Sequence, residues 1–129
     1  MCIFCEIIKG NIPSTKVYED DEVLAILDIS QTTYGHTLVM PKKHYDNFLL
    51  MPNEEYASLM AKAQIIANKL QNKLDSKGMN LLINTNEIAG QTVMHTHVHL
   101  IPRYDEKDTV EFKFNENKFD LNEIANKLN

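Results

Sequence analysis

Between Tyr56 and Leu74 the apolar residues fall at positions 56, 59, 60, 63, 66, 67, 70 and 74, the three-and-four spacing that lays one stripe along a single helical face. The plain reading of such a stripe is core packing. Asn53 is placed to cap the start, Glu54 and Glu55 suit the positive end of the helix dipole, and Gly78 is placed to supply a left-handed residue beyond the end. Around this helix the chain reads as short strands. Lys16 to Glu19 and Glu22 to Asp28 flank the acidic pair Asp20-Asp21 and predict a hairpin, with Val23, Ala25 and Leu27 alternating against Leu24, Ile26 and Asp28. His36 to Met40, after the turn Gln31 to Gly35, is a third strand, stopped by Pro41, which has no amide to give to a ladder. Met79 to Asn84 and Met94 to Pro102 are two more, joined through the polar turn Thr85 to Gly90. Leu121, Ile124, Ala125 and Leu128 make a short terminal helix, with Asp120 and Glu123 at capping-box spacing. The fold class is α+β.

The 129 residues carry no internal repeat and no Ser/Gly linker, so the expectation is one domain over 1–129 with a polar stretch beginning near Asp105. A chain this size buries roughly two-thirds of its unfolded surface and needs no disulfide scaffold. The net charge of −5, without a basic block, argues against binding long DNA or RNA, while a small phosphorylated ligand stays allowed because its recognition is local. No run approaches the roughly 18 apolar residues of a membrane helix and the start has no signal-peptide pattern, so the expectation is a cytosolic protein without membrane contact. In a reducing cytosol Cys2-x-x-Cys5 reads as a metal site or a redox motif rather than a structural bridge.

Three of the five histidines fall in His95-Thr96-His97-Val98-His99. In a strand these alternate residues share a face, about 6.5 to 7 Å apart, so all three cannot ligate one metal from a regular strand, although adjacent members could chelate. A functionless polar face would suit one histidine better than three clustered ones. Asp28 ends an apolar strand on the side of Leu24 and Ile26, an expensive place for a carboxylate unless something pairs with it, and a ribose diol is a suitable partner. There is no Gly-x-Gly-x-x-Gly and no Gly-x-x-x-x-Gly-Lys, so phosphates have to be held by side chains and by strand or turn amides.

His95-Thr96-His97-Val98-His99-Leu100-Ile101 resembles the His-x-His-x-His-x-x signature of the histidine triad nucleotide hydrolases and transferases. Leu24 to Ser30, Gly35 to His44, Asn84 and Gly90 to Val93 are similar to further landmarks of that family, in the right order, and the likeness covers about residues 2–103. It implies an antiparallel sheet of about five strands with one long helix, and a homodimer. It also implies that His97 attacks the α-phosphorus of a nucleoside phosphoramidate or a dinucleoside polyphosphate. The product would be a covalent nucleotidyl-histidine that water hydrolyses to a nucleoside monophosphate, AMP. The other reading is a nucleotide-binding regulatory or scaffold module with little turnover.

By the same resemblance His99 binds the phosphate and His36 supports the cluster. Asn84, Gln91 and Thr92 correspond to contacts with phosphate and leaving group, and Asp28 to the acceptor of the ribose hydroxyls. Ile3, Phe4, Ile7, Ile26 and Ile29 match the pocket for a purine base, although composition does not distinguish pocket from core. The chain has no tryptophan, whereas some animal phosphoramidases of the family carry one in a C-terminal segment that shapes the leaving-group pocket. Some bacterial members look the same at Cys2, Cys5, His44 and His95, which implies one structural zinc per chain, two thiolates and two imidazoles being ligand types zinc prefers.

Overall fold

The computed structural model describes all 129 residues. Helix α1 (Ile3–Ile8) is followed by strands β1 (Lys16–Glu19), β2 (Val23–Leu27) and β3 (Thr37–Pro41), the long helix α2 (Asn53–Leu74), strands β4 (Gly78–Leu82) and β5 (Val98–Arg103), and helix α3 (Leu121–Leu128). The strands form one antiparallel sheet in the order β1-β2-β3-β5-β4.

The alternation in β2 feeds two cores rather than one. Val23 and Ala25, with Val39, Val98 and Leu100, pack under Leu59, Ala63, Ile66 and Leu70 of α2. Leu24 and Ile26, with Leu38 and Met40, pack under Phe4 and Ile7 of α1. Each fully buried Leu or Ile contributes roughly 1.5–3 kcal/mol. The helix α2 covers its face end to end, whereas the six residues of α1 cover only part of the other. His99, opposite Leu38 in the neighbouring strand, lies on the face that α1 shares.

Several boundaries differ from the sequence reading. Asn53 is the first residue of α2 and Pro52 stands at the cap position without a side-chain bond. The left-handed residue that ends α2 is Asp75 (φ 57°), while Gly78 opens β4. Asp is among the few residues that visit this conformation, so the signal sits on a residue type that composition does not single out. Strand β4 stops at Leu82, and β5 starts at Val98 rather than Met94. The cause lies in the loop after β3: the Thr96 amide and hydroxyl donate to the Tyr45 carbonyl at 2.8 and 3.0 Å, so this segment hydrogen-bonds to the loop and not to the sheet.

Gly35 (φ 94°) turns the chain into β3, and a side chain there would collide with Leu74 at the end of α2. Beyond Arg103 the chain is pinned by Asp108, which accepts from Arg103 Nε and the Tyr104 amide, both at 2.9 Å. Residues 111–129 are exposed throughout. Helix α3 is capped by Asp120, which accepts from the amides of Asn122 and Glu123, and its apolar stripe faces away from both cores.

Candidate active site

The triad histidines divide between two clusters because only His99 lies within β5. His97 is 6% exposed, with the edge of Phe4 against its ring at a centroid distance of 5.0 Å, and the His99 ring is also 5.0 Å away. Its Nδ1 lies 2.7 Å from the His95 carbonyl oxygen. A carbonyl only accepts, which assigns the proton to Nδ1 and leaves Nε2 with a free lone pair. Burial lowers the pKa of His97, so the ring stays neutral.

His36, 4% exposed, fixes the ring beside it. Its Nδ1 accepts the Thr32 amide at 3.2 Å, so its proton sits on Nε2, which lies 3.0 Å from His99 Nδ1 and 3.6 Å from Asp28 Oδ2. His99 accepts through Nδ1 and keeps its own proton on Nε2. Burial is the main cause that holds the His99 pKa down at about 4, with the neighbouring His97 and His36 adding to it. Two adjacent neutral rings thus show opposite functions: a bare nitrogen on His97 and an N–H on His99. Asp28, His36 and His99 also converge closely enough to hold a metal, but the amide on His36 Nδ1 keeps the proton on Nε2, the nitrogen a metal would need.

Asp28 closes this end of the site. Its Oδ1 accepts the Ser30 amide at 2.8 Å, and Oδ2 faces His36. Phe4, Ile7 and Ile26 are buried in the core beneath α1, whereas Ile3 is 43% exposed and Ile29 fully exposed. The structure therefore splits the five apolar residues into a packed floor and two free side chains.

The loop between β4 and β5 brings Asn84, Gln91 and Thr92 into one turn, closed by Gly90 (φ 101°). Asn84 Nδ2 donates to the Gly90 carbonyl at 3.4 Å. Gln91 is 1% exposed and its amide is occupied: Oε1 accepts the Asn86 amide at 2.7 Å, and Nε2 donates to the carbonyls of Asp46 and Val93. The side chain of Gln91 organises the loop and offers no free polar atom to a ligand. Thr92 is exposed and lines a cavity of about 460 Å³ together with Ile3, His44 and Asp46.

His95 turns the other way. Cys2 Sγ and Cys5 Sγ lie 3.3 and 3.6 Å from its Nδ1, and His44 Nδ1 lies 3.2 Å from it and 3.4 Å from Cys5 Sγ. Zinc–sulfur bonds of about 2.3 Å and zinc–nitrogen bonds of about 2.0–2.1 Å at tetrahedral angles put neighbouring ligand atoms roughly 3.3–3.8 Å apart, so the four donors fit that ion. Each imidazole is anchored through its other nitrogen: His95 Nε2 donates to the Pro41 carbonyl and His44 Nε2 to Asp46 Oδ1, both at 2.8 Å. That leaves both Nδ1 atoms bare, as metal ligation requires. Burial, the largest cause, lowers the His95 pKa and keeps that ring neutral.

Sequence reasoning passed over Asp46, Gln31 and the Thr32 amide. Asp46 sits two residues after His44, a spacing that could have marked it, whereas a backbone amide leaves no trace in composition.

A family model described as the HIT domain matches residues 9–106. An uncharacterized HIT-like protein of Methanocaldococcus jannaschii is 46% identical over 129 residues, 99% of this chain and 98% of its own. Adenylylsulfatase HINT3 of Arabidopsis thaliana is 42% identical over 102 residues, 79% of this chain and 52% of its own. Among solved structures, a HIT family member from Bacillus subtilis superimposes with a TM-score of 0.92 at 42% identity, covering 98% of this chain and 94% of that one. A zinc-bound histidine triad protein from Mycobacterium smegmatis gives 0.80 at 39% identity, covering 90% and 84%. The shared sheet, the histidine clusters and these matches together establish that this chain belongs to the HIT family of nucleotide-binding hydrolases and transferases.

Proposed function

We propose that the chain is a nucleotide hydrolase or nucleotidyltransferase acting at the α-phosphate of an adenosine phosphoramidate or a dinucleoside polyphosphate. The observation that carries this reading is the pair of neutral rings, His97 with a bare Nε2 and His99 with a proton on Nε2. His97 Nε2 attacks phosphorus, and the new N–P bond forms as the bond to the leaving group breaks; an amine leaving group takes a proton from solvent, whereas a polyphosphate leaves as an anion. Water then attacks the same phosphorus, its oxygen bonds to phosphorus as the N–P bond to His97 breaks, its proton goes to solvent, and AMP is released with His97 neutral again. Splitting one displacement in two lowers each barrier, and a neutral imidazole needs no separate base to be nucleophilic at pH 7.

The His99 N–H stabilises charge that develops on the phosphoryl oxygens, a role shared by the Asn84 amide and the Thr92 hydroxyl, while Gln91 holds the loop that carries them. Asp28 accepts from the ribose hydroxyls, and a purine rests on the floor of Phe4, Ile7 and Ile26 with Ile3 and Ile29 at its rim. The Arabidopsis relative is named an adenylylsulfatase, and an adenylyl substrate there supports the adenosine preference here.

One zinc held by Cys2, Cys5, His44 and His95 anchors the N-terminal segment that carries Ile3, Phe4 and Ile7, and takes no part in the chemistry. The zinc-bound relative supports that assignment. The working form is a cytosolic homodimer. The test compares kcat/KM for an adenosine phosphoramidate, diadenosine polyphosphates and ADP with one preparation. The reading expects turnover of at least one of the first two with release of AMP; saturable nucleotide binding without turnover would make the chain a binding module instead.

A further inference from the structure

Gln31 lies in the loop that joins Asp28 to His36, and its side-chain amide is used entirely inside that loop. Nε2 donates to the carbonyls of Asp28 and His36, the latter at 2.8 Å, and Oε1 accepts the Gly35 amide at 2.8 Å. It is the one side chain that bonds to the backbone of both residues. The Asp28 amide also donates to the His36 carbonyl at 3.0 Å, so the two residues face each other across the neck of the loop with Gln31 wedged between its walls.

The consequence falls on the next residue. The Thr32 amide follows Gln31 directly and is the group that meets His36 Nδ1. Without it, the proton of His36 is free to sit on either nitrogen, and the form with Nδ1–H turns a lone pair toward His99. Other fastenings hold the far side of the loop: the Thr33 hydroxyl to the Pro102 carbonyl at 2.6 Å, the Thr37 hydroxyl to the Gly35 carbonyl at 2.8 Å, and the Tyr104 hydroxyl to the Tyr34 carbonyl. On residues 28–32 themselves the Ser30 amide donates to Asp28 Oδ1 at 2.8 Å and the Thr109 hydroxyl to the Thr32 carbonyl at 3.3 Å, but neither bond reaches His36. Water would satisfy the two carbonyls left by a shortened side chain, but it would not hold them at a fixed separation.

We propose that Gln31 is a positioning residue for this site: its amide holds the Thr32 N–H against His36 Nδ1, so that His36 presents Nε2–H to His99 with Asp28 beside them. The effect on turnover rests on the hydrolase reading above, whereas the effect on the His36 tautomer does not. Gln31→Met keeps the length of the side chain and removes its donors and acceptor; Gln31→Glu keeps the acceptor for Gly35 and removes both donors.

The experiment reads ¹⁵N chemical shifts of the His36 ring in the full-length protein, with kcat and KM for an adenosine phosphoramidate measured on the same samples. The wild type is expected to show one tautomer with Nδ1 unprotonated, and both variants a mixture, with kcat about ten- to a hundredfold lower because small misplacements of a reacting constellation cost about that much. Two results overturn the proposal: an unchanged tautomer with unchanged kcat, or a lowered kcat with the His36 tautomer still single, which would make Gln31 a merely structural residue. If the wild type turns over no nucleotide, the hydrolase reading fails and the tautomer alone decides on Gln31.

Discussion

An imidazole attacks phosphorus only through an unprotonated nitrogen, and in this chain a backbone carbonyl makes that choice. The His95 carbonyl takes the Nδ1 proton of His97, the Thr32 amide takes the Nδ1 lone pair of His36, and His36 passes the constraint on to His99. Three ring orientations are thus set by two backbone groups and one ring contact. The histidines were legible in the sequence because three in five residues are hard to assign to anything bland, but their tautomers were not, since both determining groups belong to the main chain. Asp28 was legible for a different reason, its charge at the end of an apolar strand. Its carboxylate is expected to bind the ribose hydroxyls with charged hydrogen bonds, each contributing about 1.5–3 kcal/mol. Asp28→Ala should weaken AMP binding roughly ten- to a hundredfold in titration calorimetry and abolish the preference for AMP over its 2′,3′-dideoxy analogue. Equal affinity of the wild type for the two nucleotides contradicts the assignment.

At the level of elements, the apolar stripe and the hairpin were local signals, the ends of α2 turned on single residues, and the start of β5 depended on a distant part of the chain. The stripe of α2 and the hairpin β1-β2 follow from spacing within a few residues, and both formed as expected. The start of β5 was misplaced because the Thr96 amide goes to Tyr45, fifty-one positions away in sequence. That same departure from the sheet is what separates the histidines, sending His95 to Cys2, Cys5 and His44 while His97 stands beside His99 and His99 meets His36. The segment His44-Tyr45-Asp46 therefore links the two clusters, supplying one of the four candidate zinc donors, a carbonyl for Thr96 and an acceptor for the second nitrogen of His44. Asp46→Ala should lower zinc affinity about 10–100-fold by freeing the His44 ring, read by competition with a chromogenic chelator, while the fold is retained. Unchanged affinity, or protein purified without chelator that contains no zinc, contradicts the metal assignment.

Across the whole molecule, the sheet is buried on both faces but unequally, and the candidate site residues occupy the face that the short helix α1 leaves partly open. Holding neutral histidines there ties stability to pH. His99 titrates near 6.5 in an unfolded chain and at about 4 in the folded one, so between those values the unfolded form binds more protons. Its contribution to stability is present above pH 6.5 and lost as the pH falls toward 4. Glu19, lowered to about 2 chiefly by Lys16 and then by Lys42, carries a further loss below the ordinary carboxylate range. The melting temperature should fall steadily from pH 6.5 to 4, and His99→Asn should flatten that part of the curve. A wild-type melting temperature constant over this range contradicts the neutral buried ring. The arm beyond residue 108 touches neither core, and nothing in its sequence except the α3 stripe and its Asp120 cap was legible in advance.

The most direct measurement quenches the wild type with acid during turnover of an adenosine phosphoramidate and locates the adenylyl group by peptide mass spectrometry. The account predicts a single adenylylated peptide with the group on His97, and His97→Ala with an unchanged fold and almost no turnover. An adenylyl group on His95 or His99, or a His97→Ala variant that turns over normally, would contradict it.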